Sequence, residues 1–327
     1  MRVTDSAIRL MYLLVACLVL FVVAVTGQTL AVPAGSTTAP GSNVPQTGPS
    51  PGSNSFTFAV IDVPGSSATT AAGINARGDV VGSYQIAGGN THGFLLHQGV
   101  FSTIDFPDAS LTAARAINAR GDIVGRIVDS SGIEHGFLLR EGHFAQIDYP
   151  GASQTSARGI NNAGDITGRH LDHAGNERGF ILKDGVFSNV HVAGSCSTDV
   201  WLAMDNGRLL VGDFCTNSDG GIHGYVGSLP QNFQIIDFPG AGAPCTAPRW
   251  INERGDIAGV YANTLSECYA FQLHGFLLMQ GQYTPLDFPG AKYTTLLAIN
   301  DDGQTVGQYL DLKGIAHGFK ASPINAQ

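Results

Sequence analysis

The stretch TAARAINARGDIVGRIVDSSGIEHGFLLREGHFAQIDYP, residues 112–150, decides the fold. Residues 112–118 form a short apolar segment, and Ala119-Arg120-Gly121 reads as a turn. Residues 122–128 are rich in β-branched side chains and read as a second strand. Asp129-Ser130-Ser131-Gly132 is another turn, built from residues that tolerate tight or left-handed backbone. His135-Gly136-Phe137-Leu138-Leu139 gives a third strand, Glu141-Gly142 turns the chain, and residues 144–149 give a fourth. Pro150 closes the unit, because proline cannot donate to a ladder.

The same sentence recurs. Its Ile-Asn element stands at Ile74-Asn75, Ile117-Asn118, Ile160-Asn161, Ile251-Asn252 and Ile299-Asn300, with a worn copy at Met204-Asp205, at intervals of 43 to 48 residues. Four short antiparallel strands on a period of this size make a propeller blade. A helical repeat is excluded by the absence of a 3.6-residue period and by recurrent glycine. The last copy stops after its His317-Gly318-Phe319 strand, while a spare fourth strand, residues 56–64, opens the series. The expected fold is therefore all-β: a six-bladed β-propeller of four-stranded antiparallel blades, closed by the N-terminal strand, over residues 56–323. Closure of this kind removes sheet edges that would otherwise recruit other chains.

Ahead of the ring lie two segments of different character. Arg2 and Arg9 precede an apolar run over residues 10–26, the pattern of a cleaved signal peptide or a retained N-terminal membrane anchor over residues 1–27. Leu14-Val15-Ala16-Cys17 resembles a lipoprotein box, but the apolar run continues past Cys17, which is wrong for a lipidated mature start. Residues 28–55 are Pro, Gly, Ser and Thr with little else, a linker that cannot bury enough apolar surface to fold. Charged residues make up 13% of the chain, glycine contributes 43 of 327 residues, and the net charge is −9. Without a clustered basic face, nucleic acid is not an expected partner.

Cys196 and Cys245 each follow a fourth strand, and Cys215 and Cys268 each follow a second strand. Those connections lie at one end of a four-stranded meander, and the pairing repeats in neighbouring copies, so disulfides Cys196–Cys215 and Cys245–Cys268 are expected. They fit an extracytoplasmic location, secreted or in the cell envelope. No metal site and no cofactor are expected, since no His or Cys stands at the spacing zinc sites use.

The His-Gly-Phe element supplies His92, His135, His223, His274 and His317 on third strands, each opposite a fourth-strand aspartate: Asp105, Asp148, Asp237, Asp287 and, through ring closure, Asp62. The reading is structural pairing across strands, with ligand binding or acid–base work as the alternative. One copy has Arg178 and His191 in place of the pair. Asn-x-x-Gly-Asp falls where a hairpin turns, and lacks the alternating oxygens of a calcium loop. Arg-Gly-Asp at Arg77, Arg120 and Arg254 is a by-product of that turn and does not imply adhesion-receptor binding.

The residues that the repeat leaves unexplained are the informative ones. Two positions before the Ile of Ile-Asn stand Ala72, Arg115, Arg158, Leu202, Arg249 and Leu297. Arg115, Arg158 and Arg249 on the innermost strands, towards the disulfide-bearing end, could hold a carboxylate, sulfate or phosphate; the alternative is that each bridges to an acidic neighbour in the next blade. Trp201 and Trp250, the two tryptophans, are assigned to first strands near the same end, as a ligand platform or as packing between blades. Signatures of catalysis are absent: no Gly-x-Ser-x-Gly, no His-Glu-x-x-His, no phosphate loop.

From Ile61 to Phe319 the chain resembles the extracellular HAF repeats of bacteria, with His-Gly-Phe in place of His-Ala-Phe beside Ile-Asn-x-x-Gly-Asp-Ile-Val-Gly. The resemblance implies a secreted or surface protein of unassigned activity and carries no catalytic residues. Three readings stay open: a monomeric binding module for a glycan, small anion or protein; an extracellular hydrolase or lyase with its site in the channel mouth; and a scaffold without a small ligand.

Overall fold

The computed structural model describes residues 55–204, 209–228, 232–240 and 245–324. The apolar N-terminal run, the linker up to residue 54, Cys17 and Asp205 lie outside these. Among the described residues no helix is long and apolar enough to cross a membrane.

Strand β1 (Phe56–Ile61) belongs to the last blade. Blade 1 comprises β2 (Ala68–Ile74), β3 (Val80–Gln85), β4 (Thr91–His97) and β5 (Val100–Ile104). Blade 2 follows with β6 (Leu111–Ile117), β7 (Ile123–Val128), β8 (Glu134–Arg140) and β9 (His143–Ile147). Blade 3 is β10 (Gln154–Ile160), β11 (Ile166–Leu171), β12 (Glu177–Lys183) and β13 (Val186–Val190). Blade 4 is β14 (Ser195–Met204), β15 (Leu209–Thr216), β16 (Ile222–Ser228) and β17 (Asn232–Ile235). Blade 5 contains β18 (Thr246–Ile251), β19 (Ile257–Tyr261), the short helix α1 (Leu265–Tyr269), β20 (His274–Met279) and β21 (Gln282–Pro285). Blade 6 is β22 (Tyr293–Ile299), β23 (Thr305–Leu310) and β24 (Ala316–Pro323), completed on its outer edge by β1.

Every blade is an antiparallel meander from an inner to an outer strand, and the sheets of blades 1 and 2 are bridged by one parallel pair, Thr91–Leu111. Closure runs the full length of β1, from Phe56 opposite Pro323 to Ile61 opposite Gly318. The fold is thus the six-bladed propeller that the repeat implies.

Two glycines show why the repeat reads as it does. Each inner strand carries a β-bulge, which pushes a backbone carbonyl towards the second strand. A Cβ on Gly125 would stand 2.1 Å from the Ala113 oxygen and 2.7 Å from the Phe137 ring, so the glycine of Ile-Val-Gly is obligatory. A Cβ on Gly136, in His-Gly-Phe, would stand 3.2 Å from the Ala157 nitrogen, where blade 3 packs. The following aromatic, Phe94, Phe137, Phe180, Tyr225, Phe276 or Phe319, is fully buried in each blade. It meets an aromatic of the fourth strand, as in Phe137–Phe144 at 5.8 Å. The corner into each blade is pinned by a threonine hydroxyl that accepts from the backbone, as in Phe106 N to Thr112 Oγ1 at 3.0 Å.

Candidate functional site

The bulges define equivalent positions. In five blades the extra residue is Ala72, Arg115, Arg158, Arg249 or Leu297, as the spacing implies. In blade 4 it is Trp201, not Leu202. The worn copy is therefore shifted by one: Ala203 takes the Ile place and Met204 the Asn place, a misreading that arose from aligning two worn residues without the bulge. A second correction concerns position. Arg115 is the fifth of seven residues in β6, nearer the Asn turn than the disulfide-bearing end.

The residue after each second-strand glycine is also equivalent: Ser83, Arg126, Arg169, Asp213, Val260 and Gln308. The residue before each third-strand histidine gives Thr91, Glu134, Glu177, Ile222, Leu273 and Ala316. Blades 2 and 3 thus carry the same Arg-Arg-Glu set, and blades 1 and 6 are neutral at all three positions. Arg126 Nη1 donates to Glu134 Oε2 at 2.7 Å, and Arg169 Nη1 to Glu177 Oε2 at 2.6 Å. Arg169 Nη2 also reaches Glu134 Oε1 at 3.4 Å, tying blade 3 to blade 2. Arg158 pairs with Asp199 of the next blade at 3.2 Å, whereas Arg249 pairs with Asp213 of the preceding blade at 3.5 Å. Trp201 donates from Nε1 to Asp213 Oδ2 at 2.8 Å, and its ring takes the guanidinium carbons of Arg158 and Arg249 at 4.5 and 4.1 Å. Such cation–π contacts strengthen when water is excluded.

Arg115 stands apart. It takes part in no ion pair among the described residues, it is 6% exposed, and its Nε and Nη2 are buried without a hydrogen-bond partner. Burial, then the like charges of Arg158 and Arg126, pull its pKa well down, with Glu134 opposing. Glu134 goes the other way: burial would raise it, but Arg169 and Arg126 hold it at about 2. Burial pushes the Asp213 carboxyl up to about 7 although Arg249 opposes it, and Asp199 adds to the rise. Six members of this wall, Arg126, Glu134, Arg169, Glu177, Asp199 and Asp213, escape a reading by spacing alone. For Arg126, Arg169 and Asp213 the signal was present in the varied residue after the second-strand glycine.

Trp250 is not part of the cluster. It lines the opposite mouth, a cavity of about 60 Å³ floored by the inner-strand isoleucines and Met204. The Asn turns form a belt there. Asn118 Oδ1 accepts from the backbone of Arg120 and Asp122, and its Nδ2 donates to Asp122 Oδ2 at 2.9 Å. The same Nδ2 crosses to the Asn161 carbonyl of the next blade at 3.2 Å. Equivalent links run from Asn75 to Asn118, from Asn252 to Asn300 and from Asn300 to Asn75. These asparagines therefore join blades as well as shaping turns, and Met204 occupies the corresponding place in blade 4.

On the outer face the structure places His92 Nδ1 3.0 Å from Asp105, His135 2.7 Å from Asp148, His223 2.8 Å from Asp237, His274 2.8 Å from Asp287 and His317 2.7 Å from Asp62. These pairs stand one in each of five blades and do not converge. In blade 3, burial and then Arg178 lower the His191 pKa. Burial opposes protonation of His135, but Asp148 and Asp129 raise its pKa; His274 is raised chiefly by its bond to Asp287. Stability from a raised histidine is full below its unfolded pKa, near 6.5, and is lost as pH rises through the folded value. Asp148→Asn is therefore expected to shrink the fall in Tm between about pH 6 and pH 8.5. An equal fall in both proteins would remove this account.

The two disulfides, Cys196–Cys215 and Cys245–Cys268, have Cα separations of 5.4 and 6.0 Å. The first joins β14 to β15, and the second ties the entry of blade 5 to α1. Among the described residues no group of His, Cys, Asp and Glu could hold a metal ion.

No family model and no curated protein matches the chain. Among solved structures, the fucose-specific lectin from Aleuria aurantia is similar at 11% identity and a TM-score of 0.49, over 78% of this chain and 91% of the lectin. A mutant of AofleA from Arthrobotrys oligospora is similar at 11% identity and a TM-score of 0.48, over 81% and 86%. TolB from Acinetobacter baumannii is similar at 12% identity and a TM-score of 0.47, over 71% and 60%. Likeness this distant assigns no ligand and no activity to the chain.

Proposed function

We propose that the protein is an exported bacterial binding module of the HAF-repeat kind, which takes a charged group of a glycan or small molecule at the arginine-bearing wall of blades 2 to 5. The observation that carries this reading is the asymmetry of the wall. Blades 1 and 6 place Ala72, Ser83 and Thr91, and Leu297, Gln308 and Ala316, where blades 2 and 3 place buried charges. A blade can be built without those charges, and burying them is costly. Retaining them where the architecture does not require them suits recognition. Export is supported by the apolar leader and by two disulfides, which persist in oxidising compartments. Arg115 and Arg158 are only 6% and 3% exposed, so recognition is by a small charged tip and not by a broad platform.

The test is binding of the full-length protein to an array of neutral and acidic glycans, beside the combined variant Arg115→Ala, Arg158→Ala and Arg249→Ala, with folding of both checked by circular dichroism. Binding by the wild type and its loss in the folded variant is the expected result. Unchanged binding in the variant would rule out this wall.

A further inference from the structure

We infer that Arg115 seats one small monoanion, a halide or a carboxylate, inside the wall where blade 2 meets blade 3. The inference rests on reading that wall as a binding site and names the chemistry it accepts.

The charges lead there first. The network holds five guanidinium groups, Arg115, Arg126, Arg158, Arg169 and Arg249, against four carboxylates, Glu134, Glu177, Asp199 and Asp213. Each carboxylate already has an arginine within ion-pair distance, and Arg115 is the arginine left over. A buried lysine could shed its proton, but arginine stays charged in proteins. Above pH 7, where the Asp213 carboxyl is ionised as well, the surplus is one unit, which a monoanion neutralises and a dianion would reverse.

The hydrogen-bond groups lead to the same place. Nε and Nη2 of Arg115 are buried without partners, as are Nε of Arg126, Arg158 and Arg169 and the Ser156 hydroxyl on β10. Nine such side-chain atoms occur among the described residues; six belong to this network, five arginine nitrogens and Asp199 Oδ1, and Ser156, opposite Arg169 across β10 and β11, supplies a seventh, so the shortfall is concentrated there. Buried donors are normally satisfied, and a group left unsatisfied costs far more than a bond made is worth. Water could accept these bonds but would leave the charge in place. With Arg115 6% exposed, its guanidinium is out of reach of a whole sugar and open only to a single ion or the tip of a carboxylate.

The same seat serves a free inorganic anion and the acidic group of a larger ligand, and thermal unfolding of the full-length protein separates them. The starting salt is a bulky sulfonate such as camphorsulfonate, exchanged at fixed ionic strength for chloride, formate or glucuronate. The expected result is a rise in Tm of roughly 5–10 °C at a hundredfold excess over Kd, absent in Arg115→Met and kept in Arg77→Met, whose arginine lies at an exposed turn. A response to chloride and formate alone supports an internal counter-ion; a further response to glucuronate supports recognition of an acidic sugar. Chloride-35 line broadening on the wild type, displaced by formate, reports the seat without any variant. Failure of every anion to raise Tm or broaden the line, or an equal rise in Arg115→Met, overturns the inference. Glycan binding that disappears in the triple variant would still stand in that case, so failure of the seat and failure of the binding reading are separable.

Discussion

Glu134→Gln is expected to destabilise the protein by about 3–5 kcal/mol, read as a lower urea midpoint with an unchanged slope. The glutamine keeps the shape of the side chain and removes only its charge. Glu134 is 4% exposed and sits between Arg126 of its own blade and Arg169 of the next, at 2.7 and 3.4 Å. Taking away one carboxylate leaves buried guanidinium charge uncompensated next to Arg115, which already has no counter-charge. The pH dependence gives a second check. Burial raises the Glu134 carboxyl, yet Arg169 and Arg126 prevail and hold it at about 2, below the ordinary value. A depressed carboxylate contributes stability that is present above its unfolded pKa and is lost as pH falls through the folded one. Wild type should therefore lose more stability than the variant between about pH 4.3 and pH 2. A cost under about 1 kcal/mol would place this pair with exposed ion pairs and contradict the account.

Phe137→Ala is expected to cost about 3–5 kcal/mol, measured in the same way. Phe137 is fully buried and meets Phe144 at 5.8 Å and Phe106 at 6.4 Å. The surrounding strands are held by ladders on both sides and cannot collapse into the space. The natural repair, adding Gly125→Ala to refill the void, should fail. A Cβ at position 125 gains room from the missing ring but still stands 2.1 Å from the Ala113 oxygen, which is backbone and cannot step aside. A double variant more stable than Phe137→Ala alone would show that the bulge in β6 can relax.

Much of this architecture was legible because the repeat averages over its own noise. Five clean copies fix the period, and the missing fourth strand after Phe319 together with the spare one at Phe56 implies closure. The cysteine pairs were legible for the same reason, since two neighbouring blades reproduce one spacing. The wall was legible only in part. Arg115, Arg158 and Arg249 stood out by their shared offset from Ile-Asn, but the offset fails in blade 4, where only strand pairing shows that Trp201 is the bulged residue. Arg126, Arg169 and Asp213 were hidden because a second strand alternates faces, and nothing in one chain of letters tells which face looks across to the neighbouring inner strand. The Asn side chains were read as turn formers, which they are. Their bond to a carbonyl 43 residues away, as from Asn75 to Asn118, depends on how one blade leans on the next.

The seam between β1 and β24 sets the order in which the molecule can mature. Asp62 and His317 are 255 residues apart, and the Asn300-to-Asn75 link spans 225. A ribosome delivers the first of these partners long before the second. Until the final hairpin arrives, both rims of the growing array stay unpaired, and pairing at such distance is slow. The nascent chain thus passes through a long window in which it can engage another copy of itself in place of its own tail. One late join converts this open array into a closed ring.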